Sequence, residues 1–165
     1  MAETALQGTP IATVGDLPEV GDTIPDLALT NGDLEDVTLG DFEGTKVLNV
    51  FPSIDTGICA MSVRTFNEHA EELGEISVLN ISQDLPFALG RFSSAENIDT
   101  AVNLSAFRSE FAGALGLRLA EGPMRGLCAR AVLIVDGDNT VQYVQLVPEI
   151  AQEPDYEATL EALGE

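Results

Sequence analysis

The sequence predicts an α/β fold with a central sheet flanked by helices, because two hydrophobic periods alternate along it. Apolar runs of strand length stand at 46–51, 76–82 and 131–135, while 59–73 repeats apolar residues at steps of three and four, the spacing of one helical face. The 165 residues are 45% apolar, which suffices for one domain with a real core. No composition shift, internal repeat or long linker interrupts the chain, so a single domain over 1–165 is expected.

Each element has its own signal. An N-terminal β-hairpin is predicted over 4–14, with Gly8, Thr9 and Pro10 at its turn. The apolar run 46–51 is a strand. In the helix over 59–73, Val63, Phe66, Ala70 and Leu73 form one buried stripe while Arg64, Glu68, Glu71 and Glu72 face water. A strand over 76–82 follows, and then a short helix over 86–92 opened by Pro86, whose missing N–H costs nothing in a first turn. A further helix is predicted over 105–115. Strands 131–135 and 141–146 flank the turn residues Asp136, Gly137, Asp138 and Asn139, and a helix over 156–163 closes the chain.

Charge removes whole classes of partner. With 28 Asp and Glu against 7 Lys and Arg, the formal net charge is −21, which repels phosphate backbones and anionic membranes. No nucleic acid and no membrane is therefore expected as a partner. The carboxylates are scattered and no His and Cys cluster has zinc-type spacing, so no metal and no cofactor is expected, and the pattern suits a solvated surface in a salt-tolerant organism. The start has no basic region followed by an apolar run, and no run reaches membrane-spanning length. A cytoplasmic protein is expected. Two cysteines do not make a disulfide scaffold and fit a reducing compartment.

The most informative stretch is Pro52-Ser-Ile-Asp-Thr56-Gly-Ile-Cys59. It places Cys59 after an apolar strand and in the first turn of the amphipathic helix, where unpaired N–H groups and the positive end of the dipole favour an anion. A thiolate there can attack a peroxide O–O bond. A lone cysteine taken at random is more often an inert small hydrophobe, but Pro52, Thr56 and Gly57 shape this turn around the sulfur. Two roles are open to Thr56: its hydroxyl can bond the sulfur and a bound peroxide oxygen, or it can cap the helix. Both can coexist.

The Pro52, Thr56, Cys59 pattern resembles the peroxidatic motif of the peroxiredoxins. The string from Asn49 to Arg64 is similar to that of the atypical two-cysteine, bacterial thiol peroxidase branch. Similarity continues through Asp84-Leu-Pro-Phe-Ala88 with Arg91-Phe92, Ala106-Phe-Arg108, Gly122 to Val132, and Leu146 to Ile150 before Glu153-Pro-Asp-Tyr156. The resemblance implies a thioredoxin-like fold with the hairpin as a decoration of this branch. It also implies a thiol-dependent peroxidase that reduces hydrogen peroxide and organic hydroperoxides through a Cys59 sulfenic acid. Thr56 would orient the peroxide, Pro52 would shield the sulfur, and Arg130 would be the second-site arginine. Arginine beside a thiolate is physically apt, since it stabilises the anion and can hold peroxide oxygens as charge moves onto the leaving one. Position alone leaves Arg130 equally free to pair with surplus acid. Thioredoxin or another external thiol as reductant and a homodimer are also implied.

One departure from the branch is plain. Its members carry a resolving cysteine in an Arg-Phe-Cys context, and this chain reads Arg91-Phe92-Ser93-Ser94. Serine cannot form that disulfide. Three explanations stand open: a natural one-cysteine variant, an introduced trap at Ser93, or resolution taken over by Cys128. Cys128 precedes Arg130 by two residues, so on one extended segment the two share a face, although a buried thiol entering a strand is the more ordinary reading. His69, the only histidine, stands too far along the helix from Cys59 to be a favoured general base. Leu85, Phe87, Phe92 and Met61 are candidates for an apolar pocket or dimer contact, with core packing as the default. The alternative function is a peroxide sensor or redox interaction protein with little turnover, and an inert thioredoxin-fold module is a third reading.

Overall fold

Residues 2–164 are described in a computed structural model of the chain. Two short strands, β1 (Glu3–Leu6) and β2 (Thr9–Ala12), form the expected hairpin. Its turn lies at Gln7 and Gly8, earlier than Gly8 to Pro10, because both residues take positive φ (50° and 84°) as a two-residue connection requires. Pro10 is thereby freed to stand in β2 opposite Ala5, where a strand with only one neighbour tolerates its missing N–H.

The remaining strands make one seven-stranded mixed sheet. They are β3 (Leu29–Thr30), β4 (Asp36–Val37), β5 (Lys46–Val50), β6 (Ser77–Ser82), β7 (Val102–Ser105), β8 (Ala131–Val135) and β9 (Val141–Leu146), in the order β4-β3-β7-β6-β5-β8-β9. β5, β6 and β7 are parallel, and the two flanks run antiparallel. All five residues of β5 and of β8 are buried, the polar Lys46 and Asn49 of β5 included, as in strands covered on both faces.

Among the described residues, four α-helices accompany the sheet: α1 (Gly57–Leu73), α2 (Pro86–Glu96), α3 (Phe111–Ala114) and α4 (Tyr156–Ala162). Alternation along β5 and β8 sorts the core into two layers. Val47, Phe51, Val132 and Ile134 pack with Val63 and Phe66 of α1 on one face. Leu48, Val50, Ala131 and Leu133 pack with Phe111 of α3 and Leu39 on the other. In α1 the expected stripe holds for Val63, Phe66 and Ala70, all buried, while Leu73 in the last turn is half-buried. No helix among the described residues is long and apolar enough to cross a membrane.

Two expectations fail for stated reasons. The helix over 105–115 is instead the end of β7, a turn, and the single turn α3. Ser105 continues the ladder beside Ser82, the Ala106 N–H donates to the Ser82 carbonyl at 2.7 Å, and the Ser105 hydroxyl bonds the Asp84 carbonyl, leaving nothing to start a helix there. α3 stops early because Gly116 takes φ +69° against residue 16, where a Cβ would meet the Asp16 carbonyl oxygen at 2.3 Å. Conversely, α2 runs past Phe92 to Glu96 and ends where Asn97 adopts the left-handed conformation, φ 57°.

Candidate active site

The strand-to-helix junction after β5 builds the site. Phe51 and Pro52 are buried at the strand exit, and the chain then turns through Ser53, Ile54 and Asp55 into α1. Thr56 is the N-cap in extended conformation, and its Oγ1 accepts from the Cys59 N–H at 3.3 Å. The capping role left open for Thr56 is therefore real. The same hydroxyl donates to the Ser53 carbonyl at 3.1 Å. No acidic residue stands in the first turn of α1, so the positive end of its dipole is left for the sulfur.

Arg130 comes from just before β8, the antiparallel neighbour of β5. It is only 1% exposed, and Cys59 is fully buried. Its Nη2 lies 3.2 Å from Cys59 Sγ, and its Nε donates to the Ile150 carbonyl at 2.8 Å, which orients the guanidinium. Its Nη1 is buried and meets no acceptor among the described residues. A spare guanidinium N–H next to the sulfur is a ready donor to an incoming oxygen. Cys59, Thr56, Pro52 and Arg130 are thus gathered at one corner.

Cys128 is placed elsewhere. It is fully buried among Leu48, Val50 and Leu133 on the opposite face of the sheet from Cys59, and both cysteines are free. Burial first, and the negative charge of Asp84 second, push its thiol up to about 12, against a smaller pull from Arg118. The shared face expected for Cys128 and Arg130 does not arise, because regular alternation begins only at Ala131 and Cys128 bridges to Arg118 instead. Ser93 lies on α2 with its hydroxyl bonded to Asn103. His69 is half-buried with its Nδ1 3.9 Å from Glu72, away from the sulfur's partners.

Sequence reasoning missed a polar network beneath the site. Asn49, Asn80 and Asn103 stand side by side on β5, β6 and β7, linked at 2.9 and 3.0 Å. Asn49 also reaches Ser62 at 3.4 Å, whose hydroxyl donates to the Cys59 carbonyl at 2.8 Å. Asn49 and Asn80, each inside a predicted apolar segment, were the available signal. Among the described residues, no group of three or more His, Cys, Asp or Glu could hold a metal ion. Among the exposed apolar side chains are Phe87 at 69% on α2, Leu85 at 51% just before it, and Met61 at 43% on α1.

Comparison with known proteins agrees with this architecture. The Redoxin family profile matches residues 19–160. A thiol peroxidase of Corynebacterium glutamicum is 54% identical over 165 residues, covering 99% of this chain and 100% of that one. One from Mycobacterium bovis is 51% identical over 165 residues, covering 99% of each. Among solved structures, a peroxiredoxin-like protein from Aquifex aeolicus superposes with a TM-score of 0.93 at 34% identity, covering 99% of this chain and 96% of that one. The thioredoxin-like peroxiredoxin sheet with its N-terminal hairpin is thus the observed fold.

Proposed function

Because the chain belongs to the Redoxin family, and within it to the thiol peroxidases that reduce peroxides at the expense of a thiol, we propose that Cys59 is the sulfur that attacks the peroxide. The reading is carried by one contact, Arg130 Nη2 to Cys59 Sγ at 3.2 Å, in a corner closed to solvent. The guanidinium places a positive charge and N–H donors against the sulfur, where the attacked oxygen must arrive.

In the step itself the Cys59 thiolate attacks the terminal oxygen of R–O–O–H. An S–O bond forms as the O–O bond breaks, sulfur loses two electrons, and R–O⁻ departs to take a proton as alcohol, or as water when R is hydrogen. Arg130, with Nη1 unengaged, holds the oxygens as negative charge moves onto the leaving one. The Thr56 hydroxyl, already donating to Ser53, offers a lone pair to the peroxide O–H and so orients it. Pro52, buried beside the turn, keeps bulk water off the sulfur.

Recycling falls to external thiols. Ser93 cannot form a disulfide, and Cys128 lies across the sheet in an apolar layer, so we assign it no part. One external thiol condenses with the sulfenic acid, releasing water and giving a mixed disulfide, and a second thiol releases Cys59. Thioredoxin or a small thiol serves equally well chemically. Hydrogen peroxide and organic hydroperoxides are the proposed substrates, in a cytoplasmic homodimer. The test is peroxide consumed per mole of protein with thioredoxin and its reductase supplied. Many equivalents support this reading, while a halt after about one equivalent would favour the peroxide sensor.

A further inference from the structure

We infer that Asp84 is a positioning residue for Cys59 chemistry, acting by clasping the turn that presents Thr56. This inference rests on the proposed attack by Cys59. The Asp84 carboxylate accepts from the Ser53 hydroxyl, the Ile54 N–H and the Ser82 hydroxyl, each at 2.7 Å. Such short bonds to a carboxylate are strong ones. Its backbone is fixed as well, since the Asp84 N–H donates to Ser82 Oγ at 3.3 Å and the Ser105 hydroxyl bonds its carbonyl. Asp84 therefore ties the ends of β6 and β7 to the turn leaving β5.

The clasp reaches the reacting atoms in two steps. Ser53, held by Asp84, supplies the carbonyl that accepts from both the Thr56 N–H at 3.2 Å and the Thr56 hydroxyl at 3.1 Å. With its proton spent on Ser53, Thr56 Oγ1 can only accept toward the sulfur side: it takes the Cys59 N–H and keeps a lone pair for the peroxide O–H. If Ser53 drifts, the Thr56 hydroxyl is free to rotate and donate to the thiolate, which dulls the nucleophile and misdirects the substrate. An ion pair on this turn, Arg91 to Asp55 at 2.8 Å, is exposed on both sides and contributes little.

Two reagents at one sulfur separate positioning from folding. Both reagents must reach the buried Cys59 sulfur, but iodoacetamide makes no demand on Thr56, whereas tert-butyl hydroperoxide also needs Thr56 in place. In the full chain, Asp84→Ala is expected to slow the single-turnover reaction with tert-butyl hydroperoxide about 100-fold while Cys59 alkylation changes less than about threefold, the size of loss that a small misplacement causes. Asp84→Asn, which keeps an acceptor for Ser53, should recover about tenfold of that loss, the worth of roughly one hydrogen bond. Ser53→Ala, a milder change for use if Asp84→Ala does not fold, should slow the peroxide reaction about tenfold on the same arithmetic and leave alkylation alone. Peroxide and alkylation rates falling in parallel, or a peroxide rate unchanged in both Asp84→Ala and Ser53→Ala, overturns the inference. Failure of the unmodified protein to gain oxygen on Cys59 instead removes the reading on which it stands.

Discussion

Cys59 and Cys128 are equally shut off from solvent, each at 0% exposure, yet their surroundings give them opposite chemical prospects. Cys59 sits at the N-terminal turn of a 17-residue helix with an arginine nitrogen 3.2 Å away. Cys128 sits in an aliphatic layer that drives its thiol to about 12, with the Asp84 charge adding to the effect. The pair teaches that burial does not decide whether a cysteine is chemistry or packing; the donors aimed at the sulfur do. Asp84 serves the contrast twice, bracing the turn before one cysteine and disfavouring the anion of the other.

The largest expected effect is on the two thiols themselves. Cys59→Ser should reduce peroxide consumption to the level without protein, and Cys128→Ala should leave it within about twofold, as expected for a substitution that touches no reacting atom. Equal losses in the two variants would erase the distinction.

Arg130 comes next. Arg130→Met should lower the rate constant with peroxide about 100- to 1,000-fold, the usual cost of removing a donor aimed at developing charge. Arg130→Lys should recover only part of it, because a single ammonium lacks the guanidinium fork that bonds sulfur and Ile150 together. Stopped-flow competition against a reference peroxidase would read both values.

A smaller effect is expected in stability against pH. The Cys128 thiol is raised from 9.0 to about 12 in the folded chain, so between those values the native state keeps a proton that the unfolded state has lost. Stability should therefore be fully supported below pH 9 and fall as pH rises toward 12. In Cys128→Ala that alkaline slope should be shallower. An identical slope in urea titrations across this window would place the cause elsewhere. At neutral pH the same variant should cost about 1 kcal/mol, from one lost buried atom and a small cavity.

Much of this arrangement was legible in the chain because local rules and tertiary structure agreed there. β5, α1, β8 and β9 follow from apolar runs of strand length, a three-and-four stripe and a four-residue turn signal, and each matches within two residues. β3 and β4, with two residues apiece, are too short to carry any period. β7 was hidden because Val102 and Leu104 give only two alternating apolar positions, while Ser105 imitates a helix cap. Within the site, Cys59 and Thr56 were readable from spacing, and Arg130 from family resemblance. The Asp84 clasp was not, since Asp84 and Ser53 meet only once β5 and β6 pair in register. The face of Cys128 was misjudged for a related reason: side-chain alternation holds inside a strand, and the strand starts three residues later.

The most direct test of the contrast is the intact mass of fully reduced protein after one equivalent of tert-butyl hydroperoxide, with Cys59 and Cys128 located by peptide mapping. The account predicts one gained oxygen on Cys59, with Cys128 unmodified. A mass lowered by two hydrogens with a Cys59–Cys128 link, or oxygen found on Cys128 with Cys59 intact, would contradict it.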